Sequence, residues 1–153
     1  MLVASTLYVT PTGAGNPDGS DWANAVAGIQ AAVDAADAAY ATDGTLHDIL
    51  VGDGTYSRVV VSRNFALQVR SVNGAASTVI DGNNTNGCIR CFANGFVTAP
   101  TFTGFTLRNG NVDILTGNDN VRYGGGAGGG TLYDCIVEDC IANWGGGTYS
   151  ADT

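Results

Sequence analysis

The chain has 153 residues, enough for one domain with a real core, and 44% are apolar against only 13% charged. The net charge is -8 and all six basic residues are arginine, which argues against a nucleic-acid binder. No stretch approaches the roughly 20 apolar residues of a membrane-spanning helix.

The opening Met1-Leu2-Val3-Ala4-Ser5 lacks the basic and apolar regions of a signal peptide. Leu7-Tyr8-Val9 reads as a first short strand, followed by a turn-rich loop from Pro11 to Ser20. Ser20 or Asp21 can cap a helix. Trp22, Val26, Ile29, Val33, Ala36 and Tyr40 then recur at spacings of four and three, one apolar face of an amphipathic helix that ends near Asp43-Gly44. From Ile49 onward short β-prone runs alternate with turn signals. The runs are Ile49-Leu50-Val51, Val59-Val60-Val61, Ala66 to Val69, Thr78-Val79-Ile80 and Cys88 to Phe92. Phe102 to Leu107, Thr131-Leu132 and Cys135-Ile136-Val137 continue the series. Strands this short, closely spaced and without intervening helices, predict an all-β solenoid.

The chain also repeats. Tyr123-Gly124-Gly125-Gly126-Ala127 matches Trp144-Gly145-Gly146-Gly147-Thr148 at an offset of 21, whereas Gly104 to Val112 matches Asp134 to Ala142 at an offset of 30. The difference assigns nine extra residues to the earlier repeat, within Asp113 to Arg122. An insertion in one turn of a solenoid projects as a loop, often on a binding face. Asp113, Asn118, Asp119, Asn120 and Arg122 are therefore the candidate binding residues.

Three stretches carry a family resemblance: Tyr8 to Ala36, Ile49 to Tyr56, and Asp134 to Tyr149. With them the chain resembles the right-handed parallel β-helix proteins of the pectin-lyase-like superfamily. It is most similar to bacterial secreted proteins with glycine repeats of the polymorphic outer-membrane-protein type. The resemblance implies an N-terminal capping helix, a single β-helix domain over residues 1–153 (cap 1–45, stacked coils 46–153) and a secreted or cell-surface location. Cys140 stands where such repeats usually carry an inward Asn. No C-terminal cap is visible in the sequence, so the last coil is expected to expose strand edges and to associate end to end as a homodimer or larger assembly.

Polysaccharide lyases of that superfamily use calcium with an Arg or Lys base, or a Lys–Arg pair, against a uronate carboxylate. This chain has no lysine. Arg70, Arg90 and Arg108 fall on or beside predicted strands without an evident acidic cluster. Asp81, Asp134 and Asp139 read as turn formers, and lone His47 as a strand-entrance residue. The oxygen-rich turn Asn16 to Asp21 makes Asp18 and Asp21 the candidate calcium ligands, although helix capping explains the same residues. Four cysteines (Cys88, Cys91, Cys135, Cys140) are compatible with disulfides or with buried thiols, and their spacing does not fit a zinc site. In a strand, Cys88 and Cys91 would point to opposite faces.

The expectation is a non-catalytic module that binds carbohydrate, self-associates and requires no cofactor. The alternative is a polysaccharide lyase or glycosidase. Two or more carboxylates gathered with an arginine on one strand face would favour the enzyme.

Overall fold

The computed structural model describes residues 5–63, 65–92, 99–112 and 123–149. In chain order the elements are β1 (Ser5–Thr10), a 3-10 turn (Trp22–Asn24), β2 (Val26–Ala27), α1 (Ile29–Asp43), β3 (His47–Val51), β4 (Gly54–Tyr56) and β5 (Val59–Val61). Next come β6 (Gln68–Ser71), β7 (Thr78–Asp81), β8 (Ile89–Cys91), β9 (Thr101–Thr103) and β10 (Thr106–Arg108). β11 (Ala127–Gly128), β12 (Thr131–Tyr133), β13 (Ile136–Glu138) and β14 (Thr148–Tyr149) complete the series.

The strands form three parallel sheets. The first has the order β12-β9-β6-β3-β1-β2, the second β13-β10-β7-β4 and the third β14-β11-β8-β5. From β3 onward the chain visits the three sheets in turn, so each strand pairs with the third strand before and after it. The fold is therefore all-β with one helix. Parallel strands cannot be joined by a tight hairpin. Here the route between paired strands runs through the other two sheets.

The three sheets share one core. Ile49, Val69, Phe102 and Leu132 stand in register on the first sheet, Ile80 and Leu107 on the second, and Val59, Ile89 and Ala127 on the third. All are buried in a single apolar cluster. Phe102 and Phe105 meet edge to face with centroids 6.3 Å apart, from the two sides of the Gly104 corner. That corner splits the run Phe102 to Leu107 into β9 and β10, because Gly104 takes φ 77. Asp134 repeats the corner 30 residues later at φ 50, and Asn109 and Asp139 form the next corner at φ 53 and 50. Asn and Asp tolerate the left-handed region better than other side chains. Asp134 and Asp139 are turn formers, as their sequence context implies.

The register bears out both repeat offsets. Thr106 lies opposite Ile136, 30 residues on, and Ala127 opposite Thr148, 21 residues on. Isolated bridges join Asn111 to Ile141 and Tyr123 to Trp144, so the nine extra residues fall between Asn111 and Tyr123.

The predicted helix is shortened. Asp21 caps only a 3-10 turn, and α1 begins at Ile29 after Gly28, whose φ of 82 breaks any continuous helix. Val26–Ala27 is spent as β2, pairing with the outer edge of β1. Trp22 packs edge to face on Tyr8 at 4.9 Å and stays partly exposed. The rest of the stripe behaves as its spacing requires. Ile29, Ala32, Val33 and Ala36 are buried, Tyr40 stacks on Phe65 at 5.0 Å, and Gly44 ends α1 in the left-handed conformation. α1 packs on β1, β2, β3 and β5. No helix among the described residues is long and apolar enough to cross a membrane.

The opposite boundary differs. Among the described residues, β12, β13 and β14 each pair on one side only. Tyr133, Ile136, Ile141, Trp144 and Tyr149, all in this last repeat, are exposed, Trp144 by 64%.

Candidate functional site

Asp113, Asn118, Asp119, Asn120 and Arg122 lie outside the described residues. The residues flanking them, Val112 and Tyr123, line a small, half-open cleft beside the third sheet. Arg58, Gly87, Ile89, Arg90, Phe92 and Gly124 complete its wall.

Arg90 reaches the cleft from the outward face of β8, since its neighbours Ile89 and Cys91 pack inward. Its register partner on β11 is Gly128, where an added Cβ would sit 2.9 Å from the Arg90 Nη1. The absence of a side chain there lets the guanidinium lie across the sheet. Arg90 Nη1 donates to the Tyr123 carbonyl at 3.1 Å, and the guanidinium carbon lies 5.1 Å from the Phe92 ring centroid, within cation–π range. Arg58, just before β5, donates from Nη1 to Asn86 Oδ1 at 3.2 Å, while its buried Nε has no hydrogen-bond partner among the described residues. Burial lowers the pKa of Arg90, and the charge of Arg58 lowers it further. Tyr123 stacks on Tyr149 with centroids 4.3 Å apart, carrying an aromatic surface from the cleft to the last repeat.

The second sheet presents a different outer column. Asp81, Arg108 and Glu138 stand in register on β7, β10 and β13. Arg108 Nε donates to Asp81 Oδ2 at 2.9 Å, Asn109 Nδ2 donates to both Asp81 oxygens at 3.2 Å, and the Asn83 amide donates to Asp81 Oδ1 at 2.8 Å. Burial opposes the charge of Asp81, yet the hydrogen bonds from Asn83, Arg108 and Asn109 hold its carboxyl below the usual range. Asp81 is thus more than the turn residue its sequence context implies. This column was not legible because Asp81, Arg108 and Glu138 belong to three separate repeats.

Asp18 and Asp21 are both engaged locally. Asp18 Oδ1 accepts from the Ser20 amide at 2.9 Å, and hydrogen bonding from the Ser20 side chain, then from that amide, lowers its pKa; Asp21 Oδ1 accepts from the Asn24 amide and side chain at 2.9 and 3.0 Å. Among the described residues no three His, Cys, Asp or Glu side chains converge as a metal site would need. His47 Nδ1 hydrogen-bonds the Ser5 hydroxyl across β1 and β3.

All four cysteines carry free thiols. Cys88 and Cys91 do not alternate across a strand, because β8 starts one residue after Cys88. Cys88 is buried at the corner, and Cys91 shares the inward face with Ile89 and packs against the core. Cys88 and Cys140 hydrogen-bond through their side chains, with the Cys88 Sγ 3.2 Å from the Arg108 carbonyl and the Cys140 Sγ 3.7 Å from that of Leu107. Cys140 occupies space left by Gly110, whose Cβ would come within 3.2 Å of the sulfur.

Of the cleft residues, sequence alone named Arg90, beside Arg70 and Arg108, as a strand arginine without an acidic cluster, and Tyr123 as the aromatic before a glycine run. Arg58 and Phe92 were missed, since only the pairing of β5 with β8 brings them together. No known protein family, curated protein or solved structure matches this chain.

Proposed function

We propose that the chain is a right-handed parallel β-helix module of the pectin-lyase-like type, non-catalytic, that associates through its last repeat and binds carbohydrate on its outer surface. The observation that carries this reading is the contrast between its two boundaries. One is covered by α1 and β2, while among the described residues β12, β13 and β14 each pair on one side only, beside exposed Ile136, Ile141 and Trp144. Open edges pair readily with another chain, and a contiguous apolar patch marks an interaction surface. The aromatic surface of Tyr123, Tyr149 and Trp144 supports sugar stacking beside the same patch. A secreted or cell-surface location accompanies this reading.

Light scattering across a concentration series tests the association. Mass is expected to rise with concentration, and Ile136→Lys with Ile141→Lys is expected to hold the protein monomeric. A clean monomer at the highest concentration overturns the association. A glycan array tests the carbohydrate arm separately.

A second reading, a polysaccharide lyase or glycosidase, draws support from the Asp81–Arg108–Glu138 column, which puts two carboxylates and an arginine on one strand face. Against it, Arg108 is held by its ion pair with Asp81, and opposite charges in register also stabilise a sheet without chemistry. Absorbance from unsaturated uronates, or release of reducing ends, would establish activity. Neither is expected on the first reading. Calcium at Asp18 and Asp21 is a separate proposal that neither reading requires, and it is tested by calorimetric titration.

A further inference from the structure

The geometry points to a metal site between Cys88 and Cys140 that holds one soft monovalent ion, copper(I), on two sulfurs. Cys88 lies between β7 and β8, and its amide donates to the Gly125 carbonyl of the next repeat at 3.1 Å. Cys140 follows β13, one repeat further on, and the adjoining Ile141 amide donates to the Gly110 carbonyl at 2.7 Å. The repeat between them carries glycine where a side chain would close the gap. A Cβ on Gly110 would stand 3.2 Å from the Cys140 sulfur, and one on Gly126 would stand 3.5 Å from it. Both sulfurs therefore turn toward the middle repeat. The Cys88 Sγ lies 3.2 Å from the Arg108 carbonyl, the Cys140 Sγ lies 3.7 Å from that of Leu107, and the two side chains hydrogen-bond to each other.

Span decides between a disulfide and an ion. β7, β10 and β13 are successive rungs of the second sheet. Two rungs separate the cysteine backbones by about 9.6 Å, at about 4.8 Å per rung. A disulfide closes only where the Cα atoms approach to about 7 Å. Two metal–sulfur bonds of roughly 2.3 Å, in place of one sulfur–sulfur bond, lengthen the bridge by about 2.5 Å. The hydrogen bond between the sulfurs marks the ion's place. Thiolates are soft ligands that select copper(I), and this closed-shell ion accepts two of them in line. Structural zinc takes four ligands, and among the described residues no three His, Cys, Asp or Glu side chains converge. Backbone hydrogen bonds from Gly82 to Cys88 and from Gly110 to Cys140 support the sulfurs as thiolates. Their protons pass to solvent as the ion binds, and no electron is transferred. Cys88 is buried and Cys140 half-buried, so the ion enters past Cys140.

Anaerobic titration of copper(I) against the chelator bathocuproine disulfonate tests the site, on protein carrying Cys91→Ser and Cys135→Ser so that only this pair offers thiols. One equivalent of copper(I) is expected to leave the chelator, and X-ray absorption should find two sulfur neighbours. Adding Cys88→Ser or Cys140→Ser should leave the copper with the chelator. No transfer of copper, zinc bound as tightly as copper(I), three or more sulfur neighbours, or copper retained without Cys88 overturns the site. So does a disulfide between Cys88 and Cys140 formed with oxidised glutathione, because it would show a span shorter than two rungs. Should the variants fail to fold, the unaltered protein gives an independent reading. One equivalent of copper(I) should protect Cys140 from iodoacetamide and leave the labelling of Cys135 unchanged. Equal labelling of Cys140 with and without copper overturns the site.

Discussion

The side chain of Gln30 on α1 pairs with the backbone of Val60 on β5 as a strand would. The Val60 amide donates to Gln30 Oε1 at 2.7 Å, and Gln30 Nε2 donates to the Val60 carbonyl at 3.0 Å. β5 is the edge strand of the third sheet. Its outward backbone groups would otherwise lie unpaired beneath the helix, and one primary amide satisfies a donor and an acceptor together. Gln30→Ala is expected to destabilise the fold by about 1–3 kcal/mol, the cost of stranding buried backbone groups. Gln30→Glu, which keeps the acceptor but sets a carboxylate against the Val60 carbonyl, should also destabilise. Urea unfolding measures both, and an alanine variant as stable as the parent removes this account of how the edge is closed.

Gly110 and Gly147 separate two uses of glycine. A Cβ on Gly110 would stand 1.8 Å from the Gly125 carbonyl oxygen, a backbone atom that cannot yield without moving the next repeat. A Cβ on Gly147 meets nothing nearer than the Val137 Cγ1 at 3.6 Å. Gly110→Ala is therefore expected to cost more than about 3 kcal/mol or to prevent folding, through overpacking against rigid backbone. Gly147→Ala should stay within about 1 kcal/mol of the parent. Thermal melts followed by circular dichroism compare them, and equal losses would show that glycine at these positions serves chain flexibility instead of close approach.

The two glycine runs also show what the sequence carried and what it did not. Their offset of 21, and the offset of 30 between Gly104 to Val112 and Asp134 to Ala142, are reproduced by the strand register, because a backbone stacked on its own repeat must keep its close-approach positions aligned. β11 and β14 were not foreseen, although they lie at the ends of those runs. Ala127–Gly128 and Thr148–Tyr149 lack the apolar alternation that marks a strand, and only the pairing of β11 with β8 and of β14 with β11 defines them. β2 was hidden for the opposite reason, since Val26 also fits the helical stripe that continues from Ile29. Arg58 and Arg90 are 32 positions apart in the chain, and the ladder that joins their strands is long-range.

Tyr56 makes the fold sensitive to alkali. Its hydroxyl donates to the Gly52 carbonyl at 2.7 Å, and burial, aided by the nearby charge of Asp53, pushes its pKa up from 10.0 to about 12. A folded-state pKa above the unfolded one gives stability that is fully present below pH 10 and is lost as the pH rises through about 12. Unfolding midpoints in urea should therefore fall across that window. Tyr56→Phe should begin about 1 kcal/mol less stable at neutral pH, having lost its hydrogen bond, and should show a shallower decline. If parent and variant decline in parallel, another group governs the alkaline limb.

Cys140 should be the most reactive of the four thiols. The hydrogen bond from Cys88 pulls its pKa down to about 7 against the effect of partial burial, while that same interaction and burial push Cys88 up. Burial also raises Cys91, to about 12, and Cys135. The thiolate is the nucleophile, so at neutral pH only Cys140 combines a substantial thiolate fraction with access to solvent. Brief treatment with iodoacetamide at neutral pH, followed by peptide mass mapping, is expected to label Cys140 first. Cys88→Ala removes the donor that stabilises the thiolate, so the midpoint of the Cys140 rate against pH should move upward toward about 8.5, the value of a free thiol. Overall fold, read by circular dichroism, should be retained in that variant. Labelling of Cys91 or Cys135 at an equal rate, or an unmoved midpoint in Cys88→Ala, would break the link between the two sulfurs.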